Sequence, residues 1–192
     1  TFLKFSKDGK FIKTLDGEEV PESTECVCVY DQARAGWIKF NGKGAEPTRH
    51  MGPIFAGFVP PPREELGDDD EAHWENGLNG KPQDPWQHQI LLPLQNVDDG
   101  ELYLFATSSQ SGRRAVNSLL YSCQGMMKKD PTNYPVVKLI QGEFEHKDKR
   151  VGTVKVPKFA IVGKAPRDNH KLADTTISGD MVSSLHLVPL EC

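Results

Sequence analysis

The sequence predicts a mainly β domain with one central α-helix, and three observations carry that prediction. Apolar residues alternate with period two along much of the 192 residues, most cleanly over 101–107. A single stretch, 115–127, repeats its apolar residues at helical spacing instead. The chain also holds 17 glycines and 14 prolines, a turn density that suits many short strands.

Taken in order, residues 2–14 read FLKFSKDGKFIKT. The Asp8-Gly9 pair favours a tight turn, and Phe2, Leu3, Phe5, Phe11 and Ile12 line the two arms of a hairpin. Residues 26–30 form a β-type run, and 36–41 read as another strand. There Trp37, Lys39 and Asn41 share one face, with Ile38 and Phe40 on the other.

Residues 42–85 show no sustained period. They are rich in proline, with Pro60, Pro61 and Pro62 in a row, and carry the acidic run Asp68-Asp69-Asp70-Glu71. They are expected to form a long irregular insertion. The acidic run is expected as a solvated surface, with no cofactor; a metal site built from Asp68, Asp70 and His73 is the alternative, although their spacing matches no defined metal loop.

The strand pattern resumes at 86–94 and 101–107, giving a meander around the polar turn 96–100. In the second strand Leu102, Leu104 and Ala106 oppose Tyr103, Phe105 and Thr107. A helix follows, capped by Ser109 or Ser111. Its stripe is Ala115, Val116, Leu119, Leu120, Cys123, Met126 and Met127. Lys128 and Lys129 suit the negative end of its dipole, and Pro131 stops it. Residues 135–140 are a strand, 143–150 a charged hairpin tip, and 151–162 one or two short strands around Pro157.

The resulting order from Trp37 to Val162 is strand, long loop, two strands, helix, two strands. This is the order of a five-stranded OB-like barrel, here with an N-terminal hairpin and a long loop between its first two strands. One domain is expected over 1–165, with 166–192 as a C-terminal extension.

Such a barrel binds ligands on its second and third strands and between two loops, here 42–85 and 142–150. If the leucines of 102–106 point inward, Tyr103 and Phe105 are exposed for base stacking, and Trp37 and Lys39 extend the platform. Lys147, Lys149 and Arg150 (with His146) would place positive charge beside it, and Arg113 and Arg114 would meet phosphate at the helix start. Against this stand plainer roles: strand aromatics packed under the loop, and a solvated tip.

The net charge of −4 argues against a uniformly basic coat, but a local basic groove needs no basic total. No apolar run is long enough for a membrane helix. Cys26 and Cys28 have a poor spacing for zinc, so the thiols are expected reduced and buried.

Four segments, FLKFSKDGKF at the N-terminus, GKPQDPWQ at 80–87, LYLFATSSQSGRRAVNSLL at 102–120 and VGTVKVPKFAIVG at 151–163, resemble uncharacterised proteins encoded by bacteriophages and prophages. None is a catalytic signature. The resemblance implies a small protein of a phage replication or recombination region, acting in the bacterial host cytoplasm. It implies no site residues.

The expectation is therefore a non-catalytic single-stranded nucleic-acid-binding protein, with DNA, or RNA, as ligand and with replication proteins or further copies of itself as partners. The alternative is a phage protein-interaction or structural module acting through the acidic, proline-rich loop at 59–75. An enzyme is not expected. The sequence lacks a G-x-S-x-G elbow, a P-loop and a dinucleotide fingerprint, and its six histidines are scattered.

Overall fold

The computed structural model describes residues 1–42, 45–77 and 80–169. Ten strands and one α-helix make up its regular structure: β1 (Phe2–Phe5), β2 (Phe11–Lys13), β3 (Glu19–Val20), β4 (Glu25–Cys28), β5 (Arg34–Lys39), β6 (Thr48–Pro53), β7 (Trp86–Asn96), β8 (Leu102–Thr107), α1 (Gln110–Lys129), β9 (Asn133–Glu145) and β10 (Thr153–Pro166). The mainly β class with one helix therefore holds. The count of five strands does not.

All ten strands belong to one sheet, in the order β10-β9-β4-β7-β8-β1-β2-β3, with β5 and β6 extending from β7. The expected hairpin exists as β1–β2, and its first arm adds to the sheet by pairing parallel with β8. The meander also exists: β5 pairs with β7, and β7 with β8, all antiparallel. The unexpected placement is that of β4. It lies along β7 beside the length taken by β5, with Cys28 opposite Leu94, and its other edge pairs with β9. A single turn of 3-10 helix, Tyr30–Gln32, bends the chain between β4 and β5.

Two more elements depart from expectation. The insertion is not wholly irregular, because it contains β6, paired along its length with β5. Gly36 makes that pairing close: a Cβ there would lie 2.0 Å from the His50 carbonyl oxygen. The 151–162 segment is not broken at Pro157 but runs through it as a 14-residue strand. Among the described residues β10 pairs with β9 alone, and an edge strand tolerates a proline.

The sheet curls into an open half-barrel. Phe11 of β2 and Phe159 of β10, near opposite ends of the strand order, bring their ring centroids to 6.1 Å across the interior. The helix fills the hollow with Val116, Leu119, Leu120 and Cys123, which pack among Leu3, Cys28, Leu92 and Phe105. Ser109 caps it by accepting from the Gly112 amide at 3.1 Å. A smaller cluster, Phe2, Leu91, Leu104 and Ala106, buries the opposite face of β8.

The body continues past residue 165. The Arg167 guanidinium donates to Asp31 and lies 4.5 Å from the Tyr134 ring centroid. Tyr134 donates its own hydroxyl to Asp31 at 2.9 Å. The polar stretch from 170 onward lies outside the described residues.

Candidate nucleic-acid interface

Register decides where the expected platform faces. Trp37 pairs with His88, and two and three further steps of two along β7 reach Leu92 opposite Phe105 and Leu94 opposite Tyr103. Trp37, Lys39, Tyr103 and Phe105 thus do share one face of the sheet. That face is the inside of the half-barrel. Tyr103 is 2% exposed and Phe105 0%. The Phe105 ring centroid lies 5.9 Å from that of Phe11 and 5.3 Å from that of Phe159. The expected exposure of these two aromatics is therefore corrected: they are core, and bases have no access to their rings.

The other half of the platform is covered by the insertion. Trp37 is half-buried, sets its ring edge-on to His88 at 5.4 Å and donates its indole N–H to the Pro61 carbonyl at 2.9 Å. Lys39 donates to Asp68 at 2.7 Å, with its ammonium 5.9 Å from the Trp86 ring centroid. Neither is presented to solvent as a stacking or phosphate-binding group.

Arg63 anchors this covering segment. Its guanidinium makes a two-pronged contact with Asp84 at 2.7 and 2.8 Å and reaches Asp69 at 3.0 Å. The Trp86 indole adds a bond to the Asp68 carboxylate, and the Trp74 indole one to the Asp68 carbonyl. The Lys39 ammonium, with help from Trp86, holds the Asp68 carboxyl below its ordinary range. A cleft of about 590 Å³ remains between this segment and the sheet, lined by Lys39, Asp68, Asp70, His73, Trp74 and Gln87 among others. Asp68 and Asp70 are engaged within the chain: Asp68 by Lys39 and Trp86, and Asp70 by the Ala72 amide and by His73 at 2.9 Å. Among the described residues no three His, Cys, Asp or Glu side chains are grouped to hold a metal ion.

The basic candidates divide. Arg113 is half-buried at the helix start, and its Nε lies buried without a hydrogen-bond partner. Burial first, and then the Arg113 charge, push the His88 imidazole pKa down. Arg114 is exposed on the outer side of the helix. At the hairpin tip Arg150 is engaged by Asp148, which it grips through Nε and Nη2 at 3.0 and 2.6 Å. Lys147 and Lys149 are exposed and make no ion pair among the described residues.

One exposed aromatic absent from the expected platform is Phe144, at 47%. Val137 and Leu139 of β9 face the interior, so alternation turns Phe144 outward. It pairs with Val154 across the hairpin, and Lys158, opposite Ile140 on the same face, lays its side chain over Gly142. A Cβ at Gly142 would meet the Lys158 side chain at 2.4 Å, so glycine is what lets the lysine lie flat.

Charge separates along the chain. Residues 133–166, the β9–β10 hairpin, hold seven Lys and Arg against three Asp and Glu, although the whole chain carries −4. Residues 59–85 hold eight acids against two bases. The hairpin therefore carries an exposed aromatic ring, two exposed lysines at its tip and a positive surplus along its sequence.

No family model, no curated protein and no solved structure matches this chain. No helix among the described residues is long and apolar enough to cross a membrane.

Proposed function

We propose that the protein binds single-stranded nucleic acid without catalysis, along the outer face of the β9–β10 hairpin. The observation that carries this reading is Phe144, an exposed ring on the same face of the hairpin as Lys158 and a few residues from the exposed Lys147 and Lys149 of the tip. Such a pairing fits a strand whose bases stack while its phosphates follow cations. The site is thus moved from Tyr103 and Phe105 to the hairpin, while Lys147 and Lys149 keep their expected role. DNA is the first candidate ligand and RNA the second.

The topology supports an OB-like reading of the same surface. If β4 and β5 are one strand broken at Tyr30–Gln32, that strand borders both β7 and β9. The order then becomes β4/β5, β7, β8, α1, β9, β10, with the helix between the third and fourth members. In a barrel of this kind the loop joining the last two strands contacts the ligand. Here that loop is the basic tip. The β1–β2–β3 ribbon would be an addition standing where such a barrel closes. The phage-like segments fit the same reading. It makes the chain part of a phage replication or recombination system in the bacterial cytoplasm, with replication proteins or further copies as partners.

The test is fluorescence anisotropy of a labelled oligothymidylate titrated at low and high salt. Binding should weaken with salt. The double variant Lys147→Gln/Lys149→Gln should lower the slope of log K against log salt by about 1.4, at about 0.7 for each phosphate left without its cation. Absence of binding at low salt would reject the proposal. It would move the interaction module, acting through the acidic insertion, to first place.

A further inference from the structure

The hairpin does not hold every open cation and aromatic. Helix α1 contains Arg113, Arg114, Lys128 and Lys129 and no acidic residue in its 20 positions. Its inner face is occupied by Val116, Leu119, Leu120 and Cys123. On the outer side runs a second row, Arg114, Tyr121 and Lys128, each seven residues from the next. Seven residues are nearly two turns, so the row drifts by only about 20° per step. It extends over about 21 Å of helix.

Tyr121 stands at the middle of that row and is 80% exposed, the most open aromatic side chain among those described. Of its four neighbours one turn away, Ser118 and Gly125 are small and Asn117 and Gln124 are polar and exposed. A Cβ at Gly125 would meet nothing within 4 Å, so no packing requires glycine there. Arg114, Lys128 and Lys129 are exposed and make no ion pair among the described residues.

The row also joins the hairpin. The helix ends at Lys129, the next residue is Asp130, and Lys164 of β10 donates to Asp130 at 2.8 Å. Asn133 then opens β9. This ion pair ties the last turn of the helix to the base of the hairpin, at the end of β9 and β10 remote from the tip.

We infer that the outer face of α1 is a second segment of the nucleic-acid track, with Tyr121 stacking a base and Arg114 and Lys128 meeting phosphates on either side of it. This rests on the reading of the hairpin as a nucleic-acid surface and extends it to a separate element. The occupant is fixed by complementarity: a cationic face without one acid, centred on an open ring, fits a polyanion that carries aromatic bases. A strand long enough to leave the hairpin would continue along the helix.

The inference is tested with the full chain, a short and a long oligothymidylate, and three variants: Tyr121→Ala, Arg114→Gln/Lys128→Gln and Lys147→Gln/Lys149→Gln. All the changed side chains are exposed, and far-UV circular dichroism verifies that each variant folds. Both helix variants should bind the short strand as the parent does and the long strand more weakly, Tyr121→Ala by at least roughly fivefold, as expected when one base loses its stacking partner. The arginine–lysine variant should also show a smaller salt dependence on the long strand. Helix variants that bind the long strand like the parent, while the hairpin variant loses it, would overturn the inference and leave the hairpin reading intact. Equal loss on both lengths would overturn it too, since the helix would then belong to the primary site. A parent protein that binds neither strand rejects both readings.

Discussion

Replacing Phe105 by alanine, with Phe144 as its counterpart, separates an aromatic of the core from an aromatic of the hairpin surface. The side chain is fully buried and touches Phe11 and Phe159 at ring separations of 5.9 and 5.3 Å. Truncating a packed phenylalanine costs about 3–5 kcal/mol. Two aromatic neighbours, each adding about 0.5–1.5 kcal/mol beyond burial, put this one at the upper end. A domain is stable by only about 5–15 kcal/mol, so a third or more of the total is at stake. For a chain of this size that corresponds to a fall in Tm of about 10–20 °C, at about 2–4 °C per kcal/mol. Phe144→Ala is the matched control. Its ring is half open on the hairpin, and its removal should cost less than about 0.5 kcal/mol of stability.

The assay is urea unfolding followed by circular dichroism and tryptophan fluorescence, run beside the anisotropy titration. Phe105→Ala should lose stability yet retain oligonucleotide affinity at a temperature where it stays folded. Phe144→Ala should keep its stability and lose about 1–3 kcal/mol of binding, the worth of one stacked base. The reverse pattern, a stable Phe105→Ala that no longer binds and a Phe144→Ala that binds normally, would refute the assignment of the inner and outer faces.

Three further outcomes follow from the packing. Gly125→Ala should stabilise the protein by about 0.4–1 kcal/mol, because the new methyl enters open space in a helix. Gly112→Ala should destabilise it, because that methyl would lie 2.0 Å from the Thr107 hydroxyl and 2.8 Å from the capping Ser109 oxygen; chemical denaturation of the pair gives the two signs directly. Burial, against the opposing effect of Arg167, pushes the Tyr134 hydroxyl up to about 12. The folded state therefore favours the neutral phenol, a contribution fully present below the ordinary tyrosine value near pH 10. It is lost as pH rises from about 10 to 12, so Tyr134→Phe should flatten the decline of stability in that window, followed by urea unfolding at each pH. Cys26, Cys28 and Cys123 are free and buried, with the Cys26 thiol pushed up to about 12 mainly by desolvation. These three thiols should resist a disulfide reagent in the native protein and react on addition of urea.

The legible parts of the fold are those where one side of an element is apolar and the other polar. Helix α1 has this contrast, from Arg114 on the outside to Val116 and Leu120 inside, and its span and cap can be read from it. So can the β1–β2 hairpin around Asp8-Gly9. β6 has no such contrast: its sequence TRHMGP is polar on an edge that pairs with β5 alone among the described residues. Pro157 suggests a break in β10 because proline normally interrupts a strand, yet an edge position needs no amide on its open side. β4 is recognisable as a strand, but its role between β7 and β9 depends on pairings more than sixty residues away in sequence.

The sequence pattern misjudges the exposure of Tyr103 and Phe105 for a related reason. Dividing 102–107 into two rows, leucine against aromatic, assumes that one row must meet water. Both rows are buried, Tyr103 and Phe105 against the helix side and Leu104 and Ala106 against Phe2 and Leu91. A strand covered on both faces is apolar throughout, and alternation between two kinds of apolar residue carries no information about exposure. Exposure is encoded where one row turns polar. In β9 that change occurs after Gly142, where Glu143 and Glu145 replace the inward series of Val137 and Leu139, and Phe144 stands between them. An aromatic kept between two acids at the end of an interior strand has no core left to fill. Its presence beside a positively charged hairpin tip is therefore the stronger sign of a binding role than any ring in the centre of the sheet.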